Sequence, residues 1–233
     1  MLTDPYLNTT SHAYKEFVDM CNRSTEFLFD DLFAQLEIAK QEWNKLPIVE
    51  DPVDGPSEAP TKTSNGTPVL SGRGSISGIP RSGELEGHTG TKLKNPMKTG
   101  DFVITTHSNV PGINVVFHLA VEKKNNANTS NRLLTGLRNI LTVASQYDIT
   151  TLTLPALFIE PEFKHLFSDQ QCIKRAEAVI REVRGFLVES SATYSSLRTI
   201  RLVVPPPSVT SGSTVDYFAE TTRIVNETFN KSV

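Results

Sequence analysis

The chain has 233 residues, 38% of them hydrophobic and 21% charged, with a formal net charge of −3 and a pI near 6.0. That is enough apolar material for one packed core of roughly 100–150 residues, and the mild acidity excludes polyanion binding held by net charge alone, leaving only a local basic patch open. No apolar run approaches the roughly 20 residues that span a bilayer, and residues 1–17, MLTDPYLNTTSHAYKEF, have neither the basic start nor the apolar stretch of a signal peptide. Cys21 and Cys172 are the only cysteines and lie far apart, so a disulfide framework is not expected and a reducing, cytoplasmic setting fits.

Residues 12–46 read as helical. Ala13, Phe17, Met20 and Cys21, then Phe29, Leu32, Phe33 and Leu36, recur at three-to-four spacing, and Pro47 ends the run. A helix of this length does not hold itself together in water, so its stripe needs a partner, either the later domain or another chain. Residues 1–47 are therefore expected to form a helical segment.

Pro, Gly, Ser and Thr dominate residues 48–99 without a sustained apolar period, which predicts a disordered linker. Within it, GRGSISG (Gly72 to Gly78) has the composition of a phosphate-binding loop. Such a loop needs a strand before it and a helix after it, and the surrounding pattern supplies neither. The linker also lacks a centred Gly-x-Ser-x-Gly elbow.

Residues 100–233 form the α/β part. Phe102 to Thr105 is a short apolar run, the Pro111-Gly112 turn follows, and Asn114 to Val121 is rich in Val and Leu; the two runs form a hairpin or neighbouring strands. Residues 131–147 predict a helix with Leu133, Leu134, Leu137, Ile140, Leu141 and Ala144 on its core stripe, capped by Thr129 or Ser130. A strand at Thr150 to Leu154 comes next. Ser168-Asp169-Gln170-Gln171 has the form of a capping box before a helix burying Ile173, Ala176, Val179, Ile180, Val183, Phe186 and Leu187. Thr199 to Val204 predicts a strand stopped by Pro205, Pro206 and Pro207, and a cap at Ser213 leads a last helix through Phe218, Thr222, Val225 and Phe229. The order β-β-α-β-α-β-α implies one sheet with helices on its faces.

Little of the chemistry-bearing inventory converges. Two distant cysteines and five scattered histidines have no metal-ligand spacing, so no metal, cofactor or catalytic residue is assigned. His107 and His118 flank the Pro-Gly turn and read as neutral, hydrogen-bonded structural residues. Cys172 stands at a helix start, where a thiolate is favoured, but no histidine adjoins it in sequence to activate it. Glu160 and Glu162 follow the strand at Thr150 to Leu154 and have the makings of an acid/base pair, although two carboxylates on a loop more commonly face solvent. Lys174, Arg181 and Arg184 recur along one helix face with Arg175 nearby, a candidate surface for RNA phosphates. Glu177 and Glu182 interrupt it, as on a salt-bridged solvated face, and no aromatic residues interleave for base stacking.

Two resemblances bear on these residues. The succession VVFHLAVE, LLTGLRNILTVASQYDI, TTLTLPAL, AEAVIREVRGFL and a further strand resembles the macrodomain, a fold best known for binding ADP-ribose, over about residues 113–204. That resemblance implies a mixed sheet flanked by helices. The ligand-binding motifs depart from it: ITTHSNVPG keeps only Ser108 and Asn109 near the Asn-rich position, and no glycine lies between Pro155 and Gln171. Leu157-Phe158-Ile159-Glu160-Pro161-Glu162 instead puts bulk and negative charge where backbone approaches a diphosphate.

GDFVITTHSNVPGINVVFHLAVE, LLTGLRNILTVASQYDITTLTLPALFI, CIKRAEAVIREVRGFLVE and STEFLFDDLFAQLE are similar to the C-terminal half of the third-subunit family of FERRY, an endosomal Rab-effector complex. This resemblance implies a non-enzymatic scaffold subunit acting in the cytoplasm and, through the complex, at early endosomes. It also implies as partners the other subunits, a GTP-loaded Rab reached through them, and messenger RNA for transport, with no membrane insertion. The alternative is a macrodomain-type ADP-ribose or nucleotide binder, and a hydrolase using Glu160, Glu162 or His107 is a further rival.

Overall fold

The computed structural model describes residues 12–46, 74–75, 97–121, 127–156, 167–192, 195–204 and 215–230. The N-terminal region is two helices, α1 (His12–Arg23) and α2 (Leu32–Lys45), where the periodicity predicts one. The break follows from local competition for backbone hydrogen bonds. The Glu26 carboxylate takes the N–H groups of Phe27 (3.1 Å) and Leu28 (3.3 Å), and Asp31 caps α2 by accepting from the Ala34 N–H at 2.9 Å. At its far end α2 stops as expected before Pro47, with Leu46 extended.

The stripe shared by these helices finds its partner within the chain. Cys21, Leu32, Leu36 and Ala39 pack with Val103 and Val110, together with Phe17, Val18, Met20 and Met97. Val103 belongs to β2 (Phe102–Thr106), which pairs antiparallel with β3 (Val115–Leu119) from Phe102↔Leu119 to Thr106↔Val115. The hairpin expected around Pro111-Gly112 is therefore present, with Gly112 at φ 73°. A short β1 (Gly74–Ser75) lies parallel to Phe102 and Val103, inside the stretch predicted to be all linker.

α3 (Ala127–Gln146) starts earlier than predicted, so Thr129 and Ser130 fall inside the helix instead of capping it. β4 (Thr151–Pro155) and β5 (Thr199–Val203) form a separate parallel ladder, from Thr151↔Thr199 to Pro155↔Val203. The described strands thus make two sheets where the pattern predicts one. The two ladders meet through side chains. Phe102, Ile104 and Leu119 from the first, Leu152 and Leu154 from the second, and Leu133, Leu137, Leu141, Val179 and Val183 from the helices share one core.

The sheets differ in how they are covered. On β2, Phe102 and Ile104 enter the main core while Val103 meets α1 and α2, so both faces are buried. On β4, only Leu152 and Leu154 are buried; Thr151, Thr153 and Pro155 are exposed, as are Thr199, Arg201 and Val203 of β5. A parallel pair is normally covered on both faces. The Thr and Arg side chains on the open face, alternating with apolar ones, make this ladder one-sided.

α4 (Asp169–Ser190) begins in the predicted capping box, with the Ser168 N–H donating to Gln171 Oε1 (2.8 Å) and the Gln171 N–H to Ser168 Oγ (3.3 Å). α5 (Tyr217–Asn230) packs on α4 through Tyr217 and Ile224 against Phe167, Cys172, Ala176 and Ile180. Its cap is Asp216, which accepts from the N–H groups of Phe218 (2.9 Å) and Ala219 (3.1 Å). The predicted cap at Ser213 lies outside the described residues. The predicted stripe is out of phase: Tyr217, Thr221 and Ile224 are buried, whereas Phe218 and Phe229 are exposed. Tyr217 sets the phase, because its hydroxyl donates to Asp169 at the start of α4. No helix among the described residues is long and apolar enough to cross a membrane.

Candidate functional site

The most elaborated polar junction joins the N-terminal helices to the end of β2. Gln35 of α2 donates to the carbonyls of Thr106 (2.8 Å) and Asp30 (2.7 Å), and its Oε1 accepts from the Thr106 N–H at 2.8 Å. One side-chain amide therefore pairs with both backbone groups of Thr106, as a neighbouring strand would. The next turn is held by Glu26, which accepts from the Ser108 N–H (2.9 Å) and from the Ser108 hydroxyl. Burial pushes the Glu26 carboxyl up, but the bonds from Ser108, Leu28 and Phe27 favour the charged form and hold its pKa at about 2. Asn109 donates to the Ser24 carbonyl at 2.7 Å, while its buried Oδ1 accepts nothing among the described residues.

Ser108 and Asn109 are the two residues the macrodomain resemblance singled out at this strand end. Both hydroxyl and amide donors are already engaged by the α1–α2 connector. The feature that engages them was not legible as a site in the sequence. Gln35 carried a signal, a polar residue on the Leu32–Leu36–Ala39 stripe; Glu26 carried none.

Beneath this junction lies a buried chain of polar groups. Thr105 Oγ1 is 2.8 Å from His107 Nε2 and 2.8 Å from His118 Nε2, and Cys21 Sγ is 4.0 Å from His107 Nδ1. Phe17 meets the His107 ring edge-on at 5.4 Å. Burial lowers the pKa of both histidines, that of His118 to about 3, and burial together with the Glu26 charge raises that of the Cys21 thiol. These directions are the reverse of those that make a thiolate–imidazolium pair. The group is built to stay neutral, in keeping with the structural role expected for the two histidines.

The four basic residues predicted on α4 do not share one environment. Lys174 and Arg181 are exposed, and Arg184 is half-buried. Arg175 turns inward instead: it is 7% exposed, with its guanidinium 5.1 Å from the centre of the Phe167 ring. Arg181 pairs with Glu177 at 2.6 Å. Across from them on α5, Arg223 pairs with Glu220 and Glu227, each at 2.5 Å. A cavity of about 440 Å³ opens between α4 and α5, lined by Arg181, Arg184 and Arg223 with Glu177 and Glu227. Arg223 is thus a cation that the sequence reading of this face missed. Glu160 and Glu162 lie outside the described residues. Among the described residues no group of three His, Cys, Asp or Glu side chains is placed to hold a metal ion.

A family model described as Ferry endosomal RAB5 effector complex subunit 3 matches residues 1–232. The chain belongs to that family. Relatives described as FERRY endosomal RAB5 effector complex subunit 3 include a rat protein, 29% identical over 215 residues, and a human protein, 29% identical over 220 residues. Each alignment covers 88% of this chain and 35% of the relative. The chain therefore spans about a third of the length of these FERRY relatives, less than the half expected from the sequence.

Within this FERRY family chain, the α1–α2 unit is the part that most changes the reading of the site. It covers the second face of β2–β3 and occupies the donors of the strand end. Its Gln35, Glu26 and Ser24 bond Thr106, Ser108 and Asn109, tying the strand end to the helices.

Proposed function

We propose that this chain is a non-enzymatic scaffold subunit of an endosomal Rab5-effector complex that links early endosomes to messenger RNA for its transport and localisation. The observation that carries this reading is the family match over residues 1–232. Two features of the site favour it. Ser108 and Asn109 are tied to Glu26 and Ser24, and the buried Cys21–His107 pair is biased toward its neutral form. In this reading the protein works in the cytoplasm, reaches early endosomes through the other subunits, and meets a GTP-loaded Rab through them. RNA contact falls to exposed Lys174 and Arg181 with half-buried Arg184, extended by Arg223, with Arg175 serving as a core residue.

The test is purification of the tagged full chain from cells, followed by quantitation of its partners. Other complex subunits at fixed stoichiometry are expected, and a chain that purifies alone sinks the reading. Reversing the charge of Lys174, Arg181 and Arg184 is expected to reduce RNA crosslinking; unchanged crosslinking removes the RNA part. The rival macrodomain-type reading is tested by calorimetry with ADP-ribose. Micromolar binding replaces the scaffold with a ligand-binding module.

A further inference from the structure

The connector between α1 and α2 displays the most exposed large apolar side chains among the described residues, Phe27 at 80% and Leu28 at 72%. They do not hang from a slack loop. Their backbone N–H groups are bonded to the Glu26 carboxylate, which is itself tied to Ser108 on the hairpin. Next to them in the chain lies a groove of about 560 Å³ whose apolar lining is Cys21, Phe29, Phe33 and Ala34 among the described residues. Phe33 also stands 40% exposed. Adjacent aromatic and aliphatic side chains held outward from a pinned backbone mark an interaction surface rather than a scatter of surface hydrophobes.

The charge of the groove selects the occupant. Glu26, Asp30 and Asp31 line it, and among the described residues no lysine or arginine does. Glu26 is satisfied by backbone and hydroxyl donors, and Asp31 accepts from the Ala34 N–H. Among the described residues the Asp30 side chain makes no hydrogen bond or ion pair, and Arg23, the nearest cation in sequence, instead donates to the Asp19 carbonyl. An occupant that is only apolar would strand these carboxylates at a drying interface. One that brings its own cations would satisfy them.

We propose that this groove docks a basic amphipathic helix of a partner protein, its apolar side chains against Phe27, Leu28 and Phe33 and its Lys or Arg side chains beside Asp30 and Asp31. The proposal rests on reading the chain as a complex subunit and names the surface and the partner chemistry. An apolar stripe set in a groove with flanking ion pairs is a recurrent mode of helix recognition.

The experiment places p-benzoylphenylalanine at position 27 of the full chain in cells and maps the photo-crosslinked peptides. The expected product is one partner segment with apolar residues at helical spacing and Lys or Arg between them. A crosslink to a second copy of this chain, to lipid, or to a segment without basic residues overturns the proposal. So does co-purification of the complex with no crosslink at all. Two surface variants add a second readout, F27S/L28S and D30N/D31N, the latter keeping a capping residue on α2. With thermal melts unchanged, each is expected to lower recovery of that partner by about tenfold, as loss of a central anchor does. Wild-type recovery in both overturns the proposal. If no subunit co-purifies at all, the complex reading fails with it; if subunits co-purify but position 27 stays silent, only the docking site fails.

Discussion

Gly136 on α3 and Gly100 just before β2 touch backbone to backbone: a Cβ on Gly136 would lie 2.6 Å from the Gly100 Cα and closer still to its carbonyl oxygen. A Cβ on Gly100 would in turn lie 2.9 Å from the Arg132 carbonyl carbon, and Gly100 has φ 94°. This contact sets how closely α3 approaches the hairpin, and so where Leu133 and Leu137 meet Phe102. Gly136→Ala forces backbone apart, an overpacking that typically costs about 1–3 kcal/mol, partly offset by the ~1 kcal/mol better helix propensity of Ala. A net loss of up to about 2 kcal/mol in urea unfolding is expected. Unchanged stability would show that the helix moves freely.

Gly185 on α4 supplies the opposite case. Nothing lies within 4 Å of a Cβ built there. Gly185→Ala is therefore expected to stabilise by about 0.5–1 kcal/mol through the lower entropy of the unfolded chain. The same unfolding experiment checks it, and a destabilised variant contradicts the open space.

The Glu26 staple has a defined pH signature. Its pKa is held at about 2 in the fold against 4.5 for a free glutamate. Because the folded value is the lower one, its contribution is complete above about pH 4.5 and is lost as pH falls from there through about 2. Solvent screening makes the effect smaller than the full shift would suggest. E26Q is expected to be less stable than the wild type at neutral pH, with the gap closing as pH falls through that window. A gap that stays constant with pH would mean that the charge of Glu26 is not what the loop depends on.

His118 titrates in the same sense for a different reason. Burial lowers its folded pKa to about 3 against 6.5 when free, so the unfolded chain binds the proton first. Stability from keeping it neutral is complete above about pH 6.5 and declines as pH falls from there through about 3. Thr105 has one hydroxyl hydrogen for two Nε2 atoms, so at least one of the two neutral rings carries its proton on Nε2 and donates to the Thr105 oxygen. With the Cys21 thiol donating to His107 Nδ1, His107 is the ring that keeps its proton on Nε2. Nitrogen-15 NMR of the imidazoles checks both points. A His118 resonance titrating near 6.5, or a His107 ring protonated on Nδ1, refutes the network.

The basic residues of α4 separate in their effects on stability. Arg175→Ala removes buried stem and its contact with Phe167, and is expected to cost about 1–3 kcal/mol. Lys174→Ala, at an exposed position, is expected to stay within about 0.5 kcal/mol. Arg181→Ala loses only a surface pair with Glu177, worth less than about 1 kcal/mol. Thermal melts of the three variants rank them, and an equal effect at all three removes the inward placement of Arg175.

The sequence by itself determined the order of elements from residue 100 onward, because those signals are local. The capping box at Ser168 and Gln171, the turn at Pro111-Gly112, the leucine stripe of α3 and the stop before Pro47 each act within about one helical turn or one hairpin loop. Tertiary structure decided what depended on a distant neighbour. Tyr217 rotates α5 onto α4 by reaching Asp169, and so leaves Phe218 and Phe229 in solvent. Phe167 draws Arg175 into the core and away from Lys174 and Arg181. Gln35 reads as a misplaced polar residue until Thr106, 71 positions later, supplies its partners. Periodicity says that a face is apolar, but which face is buried depends on the surface and hydrogen-bond partners that meet it. For Tyr217 and Gln35 those partners lie 48 and 71 positions away, and for Arg175 the partner lies beyond the start of its own helix.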